Sequence, residues 1–458
     1  MISKSDMEMY KDVNAMCEKF KSNGLIDPEL FIQHKVNKGL RDQKGKGVLT
    51  GLTNISDVVG KEIVDGEVVP CEGKLFYRGY NINDLCNDFL ANKRFGFEEI
   101  TYLLLFGELP SQKELDKFNV MLAKYRKSLP NTFVRDIIMK APSSDIMNSL
   151  ARSVLTLYSY DDKANDISLP NVLNQCLQLI ALFPLLSVYA YQAYDYYIKG
   201  NHSFFIHEPK DDLSTAENIL HMLRIDSKYT ELEARVLDLA LVLHAEHGGG
   251  NNSTFTARAV TSSGTDTYSA IAAALGSLKG PKHGGANIKV SQMFADIKKN
   301  VADWNDEDEI EKYLNKILNK ECFDKSGLIY GIGHAVYSIS DPRAVLLKQS
   351  TESLSIEKGL KRDFDLYSKV ERIAIKLIST QKNIYKNVSA NIDFYSGFIY
   401  DMLGLPPELF TPIFAISRIS GWSAHRMEEL LNSSKIMRPA YNCTQPALDY
   451  VPMKDRNN

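Results

Sequence analysis

Cysteine is scarce and unpatterned in this chain. Cys17, Cys71, Cys86, Cys176, Cys322 and Cys443 are scattered over 458 residues with no Cys-x-x-Cys pair. That argues against a disulfide framework or a zinc site, and for reduced thiols in a cytoplasmic protein. Neither sign of charge is in excess: Lys plus Arg number 54 and Asp plus Glu 57, a formal charge of −3. Nothing in that balance recommends nucleic acid or an anionic membrane as a partner. Long apolar runs are missing too. Cys176–Tyr191, the longest, is interrupted by Gln178 and Pro184 and falls short of the ~20 residues that span a bilayer; it predicts a buried, kinked helix. The opening residues, MISKSDMEMYKDVNAMCEKF, hold no apolar segment and include acidic residues, so neither a signal nor a transit peptide is expected. Internal repeats and low-complexity tracts do not stand out, and the final KDRNN reads as frayed.

What the chain does have is length and helical periodicity. A sequence of 458 residues can bury a sizeable core and form more than one domain, or one domain with a lobe. Apolar residues recur at helix spacing over 97–106, 113–127, 145–160, 215–224, 230–246, 268–279, 308–319, 366–380 and 397–403. Strand alternation is confined to 48–78, where an Asp65-Gly66 pair between short β-like runs predicts a hairpin. The fold class is therefore mainly α.

Chemistry concentrates in the stretch from Leu243 to Asn287. His244 and His247 precede three glycines and the polar run Asn251, Asn252 and Ser253; after a small-residue helix ended by Gly280 and Pro281 comes His283 with Gly284 and Gly285. An isolated His-Gly-Gly is ordinarily a structural turn, although two glycines let a ligand approach backbone closely. Further pieces lie downstream. His334 follows a Gly-x-Gly loop, Arg343 comes nine residues later, and Asp393 is a lone carboxylate in a mostly apolar segment. A metal role for His244 and His247 is disfavoured, because zinc peptidases use His-Glu-x-x-His with ligands four apart, whereas here the spacing is three. His34, His202, His207, His221 and His425 lack comparable company, and helical packing accounts for Trp422, His425 and Glu428 or Glu429.

In this order, HAEHGGGN, GPKHGGAN, GIGHAVYSISDPR, NIDFYSG, ISRISGWSAHRMEE and IMRP resemble the motifs of the citrate synthase family. The similarity runs from about Gly39 to Arg438 and includes KLFYRGYNINDL (74–85) and FEEITYLLLFGELP (97–110). The resemblance implies a large helical domain, 1–287 with 406–458, and a smaller helical domain, 288–405, with a cleft between them that closes on substrate. It also implies a condensation of acetyl-CoA with oxaloacetate that needs no metal and no tightly bound cofactor.

By the same resemblance, Asp393 takes the methyl proton, His283 donates a hydrogen bond to the thioester oxygen, and His334 polarises the oxaloacetate carbonyl. His247, Arg343, Arg418 and Arg438 hold oxaloacetate, and planar guanidinium groups suit its two carboxylates. Arg438 is expected to reach across a homodimer interface. Asn251 and Ser253 are expected to support ligand or His283. For acyl-CoA, backbone at Gly331 and Gly333 is assigned to the adenine, and Arg41 and Lys44 to the phosphates. Several relatives carry a basic residue where this chain has Ser338, which removes one phosphate contact. The nearest alternative is 2-methylcitrate synthase, which uses propionyl-CoA; discrimination of one methylene is worth only about 1–3 kcal/mol. A non-catalytic helical scaffold would have no reason to retain the acid/base set and all three arginines, and a citryl-CoA lyase module would be expected within a larger assembly.

Overall fold

The computed structural model describes residues 4–42, 46–130, 132–201, 203–381, 388–432 and 435–456. Lys44 and His202 lie outside them, as does the Asn-Asn end of the tail. Two compact units divide the chain: Met1–Leu52 with Arg438–Asn458, and Thr53–Met437. In the first, α1 (Lys4–Gly24) is followed by α2 (Pro28–Gln33), whose N-terminus is capped by the Asp27 carboxylate at 2.9 Å from Glu29 N. An isolated antiparallel bridge joins Arg41 to Gly47. No described side chain of this unit is buried, and Phe20, Leu49, Tyr441, Leu448 and Tyr450 stand exposed.

The second unit starts with the expected hairpin. Strand β1 (Ser56–Val64) pairs antiparallel with β2 (Glu67–Tyr77), and β3 (Tyr80–Asn81) adds a short edge. Asp65 and Gly66 both take positive φ, 53° and 83°, the turn that matches strand twist. The hairpin rests on the loop 336–340. A methyl at Gly60 would lie 2.7 Å from the Val336 carbonyl oxygen, and one at Gly73 would lie 2.2 Å from that of Ser340. Only glycine permits these approaches.

Helices make up most of the rest: α3 (Ile82–Ala91), α4 (Phe97–Phe106), α5 (Gln112–Arg126), α6 (Ile146–Leu157), α7 (Leu169–Tyr197), α8 (Thr215–Leu223) and α9 (Glu231–His244). Next come α10 (Asn252–Thr261), α11 (Thr267–Leu278), α12 (Ala286–Asn300), α13 (Glu307–Leu318), α14 (Pro342–Glu357), α15 (Lys361–Gln381), α16 (Asp393–Met402) and α17 (Phe410–Asn432). Capping boxes at Ser111, Ser214 and Thr230 start α5, α8 and α9. The apolar run at 176–191 belongs to α7, which continues through Pro184 and is buried along most of its length against α5, α6, α8 and α17. By length and composition α7 could cross a membrane, but its apolar window is 83% buried inside the protein, as befits a core helix. α12 to α16 pack on one another, with Tyr367 stacked between Phe294 (3.4 Å) and Phe398 (4.5 Å).

Every helical run expected from periodicity is present, with small shifts at the ends. The run at 145–160 leaves the α-helix at Leu157 for a 3-10 turn, and the run at 397–403 begins earlier, at Asp393. In the second unit the periodic runs missed α3, α10, α12, α14 and, apart from the spacing of Trp422, His425 and Glu428, α17. In α14, Arg343, Ser350, Thr351 and Ser355 are buried alongside Leu346, Leu347 and Leu354, so polar residues break up its apolar stripe.

Two alanine substitutions should have opposite signs. Gly73→Ala forces a methyl onto the Ser340 carbonyl and is expected to destabilise by about 1–3 kcal/mol. Gly276→Ala, on an exposed side of α11 with nothing within 4 Å, should stabilise by roughly 0.5–1 kcal/mol through helix propensity. Urea unfolding midpoints compare them directly.

Candidate active site

Three segments converge in the second unit. The first leaves the end of α9. Tyr77, from β2, places its hydroxyl 3.0 Å from the Glu246 carbonyl and 3.2 Å from that of Val242, and accepts the Glu246 N–H at 3.3 Å. Ser56 donates to Glu246 Oε1 (3.0 Å) and accepts from Gly248 N (3.1 Å). His247 is therefore pinned on both sides. Its Nε2 is closed from solvent and has no partner among the described residues. Burial, then Arg343, His334 and Arg418, hold its pKa well below the ordinary imidazole value.

His244, three residues earlier, points into the core. It is fully buried, its Nδ1–H donates to the Ala240 carbonyl at 2.8 Å, and burial lowers its pKa to about 3. No cluster of three or more His, Cys, Asp or Glu with metal-site geometry occurs among the described residues.

The second segment is the turn between α11 and α12. Gly284 N donates to the Leu278 carbonyl (2.9 Å), and a methyl at Gly284 would lie 2.5 Å from that same oxygen. His283 Nε2 lies 2.9 Å from Ser253 Oγ and accepts from Ser253 N at 3.3 Å. A backbone N–H can only donate, so Nε2 is an acceptor and the ring proton sits on Nδ1. Ser253 is itself held by Asn251 Oδ1 (3.1 Å) and Trp422 Nε1 (3.2 Å). Burial, with Arg418 second, lowers the His283 pKa to about 4. Burial and a nearby guanidinium thus keep the imidazole neutral.

The third segment joins two loops. Gly333 N donates to the Ser389 carbonyl (2.7 Å) and Asn391 N to that of Gly331 (2.8 Å). Asn391 Nδ2 donates to the Gly333 carbonyl (2.9 Å), while its Oδ1 accepts from Asp393 N (3.0 Å). His334 and Asp393 therefore leave from one clamp. His334 Nδ1 accepts from Val336 N and Tyr337 N, each at 3.1 Å, which assigns the proton of the neutral ring to Nε2, opposite to His283. Tyr337 stacks on His334 at 4.7 Å, and His247 stands perpendicular to His334 at 5.1 Å. The Oδ1 of Asp393 is shut from solvent and unpartnered among the described residues. Burial raises its pKa to about 7 against the opposing pull of Arg343 and Arg418.

Two buried guanidinium groups complete the site. Arg343 is bidentate to Asp341 at 3.0 and 2.8 Å; burial disfavours its charge, but Asp341 more than offsets this and raises its pKa. Arg418 is 1% exposed, donates through Nε to the His244 carbonyl at 2.7 Å and lies over the Phe414 ring at 4.8 Å. Phe414 also touches His244 (4.5 Å) and His283 (6.3 Å between centroids). Arg418 is thus electrostatically linked to His247, His283 and Asp393 alike.

Arg438 and Arg41 belong to the other unit, where both are exposed. Ser338 is fully buried, its hydroxyl unpartnered among the described residues. Sequence reasoning missed Tyr77, Tyr337, Asp341 and Glu246. Asp341 was the most accessible of these, since Asp-Pro at a helix start is a cap signal: its carboxylate accepts from Arg343 N at 3.0 Å. His425 does more than pack, since Nε2 lies 3.1 Å from the buried Glu246 carboxylate. Burial opposes ionisation of Glu246, but His425, Arg418 and Ser56 outweigh it and bring its pKa to about 2.

Comparison with known proteins shows what the whole chain is similar to. The family model described as citrate synthase, C-terminal domain, matches residues 40–440. The chain is 34% identical to a citrate synthase of Synechocystis sp. over 394 residues, 84% of this chain and 89% of that one. It is 32% identical to a 2-methylcitrate synthase of Shewanella oneidensis over 382 residues, 83% and 90% of the two chains. Its fold is similar to that of a Thermoplasma acidophilum citrate synthase solved with carboxymethyl coenzyme A and oxaloacetate, with a TM-score of 0.74, 29% identity and coverage of 92% and 99%.

The raised pKa of Asp393 predicts a signature in stability. A carboxyl titrating near 4 when unfolded and at about 7 when folded contributes nothing unfavourable below pH ~4 and destabilises progressively as pH rises to 7. Asp393→Asn should therefore be more stable than the parent at pH 8, with the advantage shrinking towards pH 4.5. Thermal unfolding across that range measures it; an advantage independent of pH would contradict the assignment.

Proposed function

The chain belongs to the citrate synthase family, and on that premise we propose that it condenses acetyl-CoA with oxaloacetate and hydrolyses the resulting thioester to citrate and CoA. One observation carries the detailed reading: backbone contacts assign opposite ring protons to two imidazoles, His283 and His334, and His283 shares the field of Arg418 with Asp393, a carboxyl titrating near neutrality.

Removing a proton from the acetyl methyl group needs a base matched to the operating pH and a donor for the oxygen that gains charge. Asp393 is the base. His283, neutral and protonated at Nδ1, donates to the thioester oxygen as the enol forms; a neutral donor does so without binding a stray anion. His334 donates from Nε2 to the ketone oxygen of oxaloacetate and gives its proton to the new hydroxyl. Water then cleaves the thioester. His247, Arg343, Arg418 and Arg438 hold the oxaloacetate carboxylates, backbone at Gly331 and Gly333 receives the adenine, and the CoA phosphates are assigned to Arg41 and Lys44. Asn251 and Ser253 hold His283 in its tautomer.

Residues 288–405 act as a lobe that closes over the large domain, 1–287 with 406–458, and excludes water from the enol. The family reading includes a homodimer in which Arg438 enters the partner's site. The exposed apolar side chains of the first unit support it, since such surfaces are ordinarily covered. A cytoplasmic location agrees with cysteines that are all free. The 2-methylcitrate synthase reading stays open on the strength of the Shewanella relative.

Thiol release from acetyl-CoA or propionyl-CoA in the presence of oxaloacetate decides the substrate: acetyl-CoA is expected to give the higher kcat/KM, and a clear preference for propionyl-CoA reverses the choice. Asp393→Asn and His283→Ala should each lower kcat by roughly 10²-fold or more while the protein stays folded. Arg438→Ala should chiefly raise the KM for oxaloacetate. Mixing it with Asp393→Asn, which retains Arg438, should restore some activity through mixed dimers; no recovery would refute a contribution across the interface.

A further inference from the structure

Behind the substrate side of the cleft lies a chain of buried charges that the reaction scheme leaves without a task. Arg258 donates from Nη1 to Glu428 Oε2 (2.7 Å) and to His425 Nδ1 (3.0 Å), and from Nη2 lies 2.9 Å from Glu429. A guanidinium can only donate, so His425 Nδ1 accepts and Nε2 carries the proton. That proton faces Glu246 Oε1 at 3.1 Å. His425 and Glu246 are both fully buried.

The other oxygen of Glu246, Oε2, has no partner among the described residues and sits where Gly421 leaves a notch in α17: a methyl there would be 2.2 Å from it. Arg418 is three residues before Gly421 and His425 four after, so all three share one face of α17. The carboxylate is therefore locked by an imidazole at one oxygen and lies in the field of the Arg418 cation. Through Ser56, its Oε1 also ties down Gly248 N, next to His247.

We propose that Glu246, oriented by His425 and Arg258, is the positioning residue for the diacid subsite, setting the charge balance of Arg418 and the placement of His247. This rests on the reading that Arg418 and His247 grip oxaloacetate. A merely structural carboxylate would, when altered, change both substrates' constants or none.

Glu246→Gln preserves volume and one acceptor but removes the charge. The expected result is a KM for oxaloacetate raised roughly tenfold or more, a KM for acetyl-CoA within about twofold of the parent, and a smaller change in kcat. Glu246→Asp should recover part of the loss, and His425→Gln, which keeps a donor, should show a milder form of the same split. An unchanged oxaloacetate KM in folded Glu246→Gln, or equal changes in both KM values, overturns the inference. Arg418→Gln separates the two levels. If it leaves the oxaloacetate KM unaltered, the subsite reading itself fails; if it raises that KM while Glu246→Gln does not, only the role of Glu246 fails. Should Glu246→Gln not fold, His425→Gln decides, read by the rise in unfolding temperature on adding oxaloacetate: a rise smaller than the parent's is expected, and an equal rise overturns the role.

Discussion

Burying a guanidinium is costly, and this site is built around one that is almost wholly removed from water. Arg418 sits in the middle of α17, backed by the Phe414 ring and bonded to the carbonyl at the end of α9. Desolvation lowers its pKa to about 10, with Glu246 and Asp393 among the charges that counteract the loss. Burial first of all keeps His283 and His247 from protonating, and the same field adds to it while restraining the rise of Asp393. One cation thus favours a neutral donor at His283 beside an ionisable base at Asp393, which is the pair of protonation states that enolisation of a thioester requires.

Backbone geometry supplies the precision that this electrostatic arrangement needs. The two histidines are assigned different tautomers because each has one ring nitrogen occupied by backbone N–H groups: Ser253 for His283, Val336 and Tyr337 for His334. The ring nitrogen left over becomes the donor. Asp393 is placed by Asn391, which also ties the His334 loop to its own. The hairpin, a minor element by size, braces the same loop through glycines 60 and 73 and pins the His247 segment through Ser56 and Tyr77. A sheet of three strands in a helical protein is here a brace for two of the three segments.

Much of this was legible beforehand, and the exceptions have physical causes. Helices with one apolar face, such as α6 or α13, announce themselves. Those that bury polar groups do not: α14 carries Arg343, Ser350 and Thr351 inward, and α10 carries Ser253 and Thr254. The turn at Asp65-Gly66 was visible because its backbone conformation demands those residue types. Tyr77 was not, because its contacts lie more than 160 positions away. Glu246 stood in plain view between two histidines, yet its task depends on a notch in α17 that no local pattern reveals.

By itself, the sequence determined which chemical groups are present and in what order: the two glycine-flanked histidines, the isolated carboxyl and the arginines, together with the helical class and the hairpin. These follow from local rules of periodicity, turn conformation and side-chain chemistry. Tertiary structure alone decided the proton positions on His283 and His334, the elevation of Asp393 to about 7 and the pairing of Glu246 with His425. Each of those depends on desolvation and on hydrogen bonds between segments distant along the chain, quantities that exist only once the chain has closed around them.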